Sequence, residues 1–184
     1  MIAIYLWIRN RGYDRWNTMF ITSFAFIQLW EAGIWRYRPN DNIFLKLILL
    51  TLLSQPLMQT FGAYTYTTPK FIVLKYLIIV YLLIFVYGVF RTLTIDFYST
   101  IGREGHLVWN ATDSESIFGN TLIPYLYIFG MFFGLFYGLP KTKVLLLVGI
   151  FTFLYALSYK DSGEFSSYWC YIAVLYSGVA IFVN

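Results

Sequence analysis

Residues 74–90 read LKYLIIVYLLIFVYGVF, a continuous apolar run with one charge and no alternation of polar and apolar positions. Such a run cannot face water, and it is too long for an ordinary buried strand. A helix rises ~1.5 Å per residue, so about 20 residues cross the ~30 Å of a bilayer's hydrocarbon. With its flanks the run covers residues 70–93. Five other blocks of similar length lie at 17–36, 43–63, 120–138, 142–159 and 166–184. In chain order they are spans 2 to 7, with 70–93 as span 4. Membrane-barrel strands would alternate apolar and polar residues over about ten positions, and these blocks do not. Only 12% of the 184 residues are charged, against about 25% in soluble domains. The expected fold is all-α: one polytopic transmembrane helical bundle in a single domain.

The N-terminus departs from this plan. MIAIYLWI supplies eight apolar residues before Arg9, reaching only ~12 Å. Residues 1–9 therefore read as a partial helix with a truncated start, giving six full spans plus a stub in a seven-helix plan. No base precedes the run and no small-residue cleavage site follows it, so it is not a signal peptide.

The connections sort onto two faces. One bears residues 9–16, 64–70, 139–143 and the C-terminus; the other bears 37–42, 94–119 and 160–165. Lys and Arg divide almost evenly, but Asp14 is the only acid on the first face. The 94–119 connection also holds Asn110-Ala111-Thr112, an N-glycosylation sequon. Both cues put 94–119 outside or in a lumen and the C-terminus in the cytoplasm. The net charge of +4 comes from bases scattered between apolar blocks, without the stripe that nucleic acid requires. One cysteine, Cys170, excludes an internal disulfide, and with the single His106 it cannot alone form a four-ligand zinc or iron–sulfur site. No metal or cofactor is expected. Cys170 reads as a small buried packing residue. Thr68-Pro69 and Leu139-Pro140 place proline near the first turns of spans 4 and 6, and Ser166 or Ser167 suits the cap of span 7.

Polar residues inside the spans are the candidate site. Gln28, Glu31 and Trp35 share one face of span 2. A lone intramembrane carboxylate costs about 3 kcal/mol or more and normally faces protein or water. The short link at 37–42 makes spans 2 and 3 antiparallel neighbours, with Glu31 and Lys46 at matching depth. A Glu31–Lys46 pair facing the interior is expected, with Arg91 as the alternative partner. Thr51, Gln55 and Gln59 form a stripe on span 3. Pro56 predicts a kink, with the freed Leu52 carbonyl served by Ser54, Gln55 or water. Glu31 would be the ion or proton site, Lys46 its counter-charge, and Gln28, Gln55 and Gln59 the lining of a hydrated cavity. The competing reading is interhelical hydrogen-bond glue. Gly130, Gly134 and Gly138 repeat every four residues and predict a close helix approach, within the chain or to a second copy in a homo-oligomer. His106, with Arg103, Glu104, Trp109 and Asp113, lies in a segment read as a solvated loop or as a ligand-gating or pH-sensing loop over the mouth.

Known chemistries are narrowed by what the spans hold. Span 7 has no lysine for a retinal Schiff base. One histidine is too few for a ceramidase-type zinc centre or bis-histidine haem. The order Gln55-Pro56 and the lack of a duplicated three-helix unit argue against a PQ-loop sugar transporter, and no span repeats arginine as a voltage sensor does. At RWNTMFITSFAFIQLWEAGIW, SQPLMQTFGAY and SSYWCYIA the chain resembles a group of uncharacterised multi-pass proteins encoded by large DNA viruses of algae and protists. That resemblance implies a longer first helix and brings no activity with it. The expected function is a small transporter, channel or ligand-sensing protein of the bilayer, handling a small solute or ion. The alternative is a structural or interaction membrane protein, with an enzyme third.

Overall fold

The apolar blocks fold as helices, and one connection folds as something else. The computed structural model describes residues 1–37, 41–67, 70–114, 116–138, 142–158 and 164–182. Its elements are α1 (Ile2–Arg9), α2 (Asp14–Arg36), α3 (Asp41–Tyr66), α4 (Ile72–Thr94), β1 (Phe97–Ile101), β2 (Leu107–Ala111), α5 (Leu122–Tyr137), α6 (Lys143–Leu157), α7 (Phe165–Ile172) and α8 (Val174–Ala180). Arg38, Thr68-Pro69, Leu139-Pro140, Lys141 and Lys160 lie outside the described residues.

The segment read as a solvated loop carries an antiparallel hairpin, so the chain is mostly helical rather than wholly so. FYSTI and LVWNA are rich in β-branched and aromatic residues. They pair from Phe97 opposite Ala111 to Ile101 opposite Leu107. Leu107, Trp109 and Ala111 are buried while Val108 and Asn110 between them are half-buried, the period-2 signature of a strand with one face on a core. Gly105, at φ 87°, makes the turn. The second departure is in the last block, where α7 and α8 meet at Ala173 instead of forming one helix.

Helix α3 is the hub, packing against α2, α4 and α5. Helix α5 packs on α6, α6 on α7 and α8, and these return to α2. Helices α2, α3, α5, α6 and α7–α8 thus close a ring around a shared interior, with α4 outside on α3 and α1 outside on α2. Helices α3 and α4 are long and apolar enough to cross a membrane; α5 and α6 are apolar but shorter.

Local chemistry fixes the ends. The chain reverses after α1 through Asn10 and Gly12, both left-handed at φ 48°. Arg9 then grips the buried Asp14 with two bonds of 2.6 and 2.7 Å and reaches the Ile181 carbonyl at 2.7 Å, joining α1, α2 and the end of α8. At the opposite end Asp41 accepts from the Ser99 amide at 2.8 Å and Asn42 accepts from the Phe97 amide at 2.9 Å, so the start of α3 holds β1.

Helix α3 runs unbroken through Pro56. Of the donors expected to serve the Leu52 carbonyl, Ser54 bonds the Thr51 carbonyl instead, and Gln55, whose Oε1 accepts from Tyr127, makes no hydrogen bond through its Nε2. The glycines of α5 are used inside the chain. A Cβ on Gly130 would sit 2.5 Å from the Tyr81 ring, and one on Gly134 would sit 2.8 Å from the Gln59 carbonyl. Gly138, just past α5, faces Thr142 instead. The close partner left open by the sequence is therefore α3, with α4 behind it.

Candidate functional site

The ring interior holds two polar tiers. In the tier nearer the hairpin, Glu31 is 7% exposed. Its Oε1 accepts from the Ser167 hydroxyl of α7 at 2.5 Å, and its Oε2 accepts from the Gln28 amide one turn back at 3.1 Å. Trp109 of β2 lies beside the carboxylate but outside hydrogen-bonding geometry, and the buried Cys170 thiol lies close on the α7 side. Next to Cys170, the Tyr127 hydroxyl of α5 donates to Gln55 Oε1 of α3. The carboxylate thus meets side chains of α2, α7 and the hairpin, while the Tyr127–Gln55 pair joins α5 to α3 beyond Cys170.

In the other tier, the Trp16 indole donates to Gln59 Oε1 at 2.6 Å, and Gln59 Nε2 donates to the Met131 carbonyl at 3.5 Å. The Tyr176 hydroxyl meets Asn17 Oδ1 at 3.3 Å. Three buried donors facing this core make no hydrogen bond: Asn17 Nδ2, Gln55 Nε2 and Trp109 Nε1. Each unpaired donor costs about 1–3 kcal/mol. All three are hydrogen-bond donors, and Trp109 Nε1 lies beside the Glu31 carboxylate.

The expected site is therefore partly regrouped. Glu31, Gln28, Gln55 and Gln59 face the ring interior. Lys46 does not: its ammonium sits 3.6 Å from Asp96 at the hairpin end, and it is 27% exposed. Arg91, the alternative partner, makes a bidentate pair with Asp113 at 2.8 and 3.0 Å. Among the described residues no ion pair involves Glu31, so the predicted Glu31–Lys46 pair is replaced by neutral donors. Ser167, expected as a helix cap, is instead the first of those donors. Trp109 and Ser167 thus take places other than those expected of them, Cys170 is buried as expected, and Asn17, Tyr127 and Tyr176, which no motif singles out, join them.

The hairpin is bolted over this tier. Glu164, fully buried before α7, accepts from the Glu104 amide at 3.0 and 3.1 Å and from the His106 amide at 2.9 Å. The His106 ring packs edge-on against Tyr168 at 4.8 Å. The Arg91 guanidinium holds the Asp113 carboxyl below the usual carboxylate range. Asn110, the sequon residue, is half-buried in β2 and lines a cavity of about 370 Å³ together with Trp109, Ser116 and Ser166. Ser116 and Ser166 also rim a second cavity of about 540 Å³ between α5, α6 and α7, whose lining includes Tyr127 and Cys170. The predicted cavity between spans 2 and 3 is not among these; both lie on the other flank of Glu31. Among the described residues no three His, Cys, Asp or Glu side chains gather as metal ligands. Comparison with family models, curated proteins and solved structures finds no match to this chain.

Proposed function

We propose that this chain is a multi-pass integral membrane protein that carries or senses a small solute at the polar core around Glu31. The membrane setting is supported by an inverted distribution of polarity. Helix α4 is the more apolar of the two helices long enough to span, yet only 17% of its apolar window is buried. Its outward side chains include Ile79, Leu83, Val86, Phe90 and Leu93. Helix α6 likewise turns Leu147, Phe151 and Leu154 outward. Glu31, Gln55 and Gln59 are inside. Water would reverse that arrangement, because a soluble surface of this size exposes contiguous apolar patches of only a few hundred Å². In this reading the hairpin end is external or lumenal and the C-terminus cytoplasmic.

One observation carries the functional part: a buried carboxylate whose partners are all neutral, one side chain removed from two cavities. Intramembrane carboxylates mark ion, proton and substrate paths. Without a counter-charge Glu31 can take up a proton or a cation directly, while the unpaired Gln55 and Trp109 donors hold acceptor atoms of a solute or its water. The second reading, hydrogen-bond glue, is favoured by the closed Trp16–Gln59–Met131 chain in the other tier.

The test is proton and potassium flux in liposomes over a pH series, for wild type and Glu31→Gln matched for folding. Flux that varies with pH and vanishes in the variant is the expected result. No flux in either protein, with the variant less stable, would favour glue.

A further inference from the structure

The 540 Å³ cavity between α5, α6 and α7 has a shape and lining that the role proposed for Glu31 does not require. Its volume falls within the ~300–1,000 Å³ of small-molecule sites. Phe129, Phe153, Phe165 and Trp169 form its walls, and no charged residue lines it. Its mouth is flanked by Tyr125, Phe129 and Leu157, all exposed on the apolar outer surface of the bundle. Its other end is polar: the Ser116 and Ser166 rim is shared with the smaller cavity, which adds Asn110 and Trp109 and again has no charged lining. The combination is an apolar slot that opens sideways and ends in uncharged hydroxyl, amide and indole groups beside the Glu31 carboxylate.

We propose that this slot binds one hydrocarbon chain of a bilayer lipid with an uncharged, ester-bearing head, the chemistry of a monoacylglycerol. The chain enters laterally between α5 and α6 and lies on the aromatic walls. The ester and hydroxyls reach the serine rim and Asn110, where they are met by neutral donors and acceptors. A fatty-acid anion is disfavoured there: no cation lines either cavity, and a second carboxylate would approach Glu31. The inference rests on the membrane reading and not on the role proposed for Glu31.

The probe is a monoacylglycerol carrying a diazirine in its chain, added to phosphatidylcholine vesicles containing the protein, with labelled residues located by mass spectrometry. Labelling of α4 at Leu83 and Phe90 reports ordinary lipid contact and serves as the internal reference. The expected result is added labelling at Phe153, Phe165 or Trp169, cut about tenfold by a tenfold excess of unlabelled monoacylglycerol and unchanged by the same excess of oleate. Ile128→Trp, which fills the slot from a half-buried position, lowers cavity labelling and leaves α4 unchanged. Glu31→Gln keeps both. Cavity labelling no stronger than that of α4 and without competition overturns the proposal, as does equal competition by oleate. Absence of label on α4 as well would overturn the membrane reading itself.

Discussion

Gly134 is, among the described glycines, the one whose added Cβ would meet the backbone of another helix, and Gly134→Ala tests whether that approach holds the bundle together. The added Cβ would stand 2.8 Å from the Gln59 carbonyl oxygen. A backbone oxygen in the middle of α3 cannot swing aside as a side chain can. Reaching an ordinary contact of 3.4 Å requires α3 and α5 to part by about 0.6 Å, and the Trp16–Gln59 bond rides on the same residue. Overpacking of this kind costs about 1–3 kcal/mol. Alanine also returns about 1 kcal/mol of helix propensity, which would mask part of the loss. Gly178→Ala in α8 supplies the correction, because nothing lies within 4 Å of its Cβ position and the propensity gain is the same. The difference between the two variants isolates the clash. At ~2–4 °C per kcal/mol for a chain of this length, Gly134→Ala should melt about 2–12 °C below Gly178→Ala in the same detergent. Equal midpoints would refute the packing assigned to α3 and α5.

The remaining predictions concern the hairpin end. Arg91 lowers the folded-state value of Asp113, so this pair's contribution is complete above the unfolded carboxyl value of ~3.9 and is lost as pH falls through the lower folded value. Amide protection over residues 113–119, taken relative to the intrinsic exchange rate at each pH, should fall in that acid window, and Asp113→Asn should abolish that fall. Glu164→Gln weakens charge-assisted bonds to the turn by about 1–2 kcal/mol, which should speed amide exchange at Glu104 and His106 about tenfold; unchanged exchange would remove the clamp. Lys46→Ala breaks a pair largely open to solvent and should change stability by less than about 1 kcal/mol, whereas a loss comparable to that of a core variant would place Lys46 inside after all.

The helices were legible because an unbroken apolar run leaves the backbone one economical way to satisfy its own polar groups. The hairpin was less so. Its strands are only five residues long, and their alternation was hidden among Arg103, Glu104 and Asp113, which read as solvated loop. The feature that selects the hairpin lies about 60 residues away, in the Glu164 carboxylate that collects the amides of its turn. The same distance effect hides the Glu31 site. Ser167 is 136 positions from Glu31, and no local spacing encodes which serine of span 7 turns inward.

Some of the regrouping around Glu31 was nonetheless written in the sequence, as angle rather than depth. The depth estimate agrees with the register of α2 on α3: Phe44 packs on Gly33, Trp30 reaches Thr51 at 3.3 Å, and Trp16 reaches Gln59. Glu31 and Lys46 belong to the same antiparallel ladder. At ~100° per residue, however, the nine positions from Lys46 to Gln55 turn the helix by about 900°, leaving the two on opposite sides of α3. A single site could not have held both. The same count on α2 spans about 1,400° from Asn17 to Glu31, which returns them to within about 40° of one another on the face that buries Phe20, Phe24 and Ile27. Periodicity therefore removes Lys46 from the site and adds Asn17. Energetics point the same way. At the hairpin end Lys46 and Asp96 keep much of their hydration while they pair. Carrying an ammonium inward to Glu31 would strip both ions of water, a cost of several kcal/mol per ion that mutual attraction repays only with near-ideal geometry. Gln28 and Ser167 occupy both carboxylate oxygens without importing a second ion, which leaves Glu31, among the described residues, without an ion-pair partner.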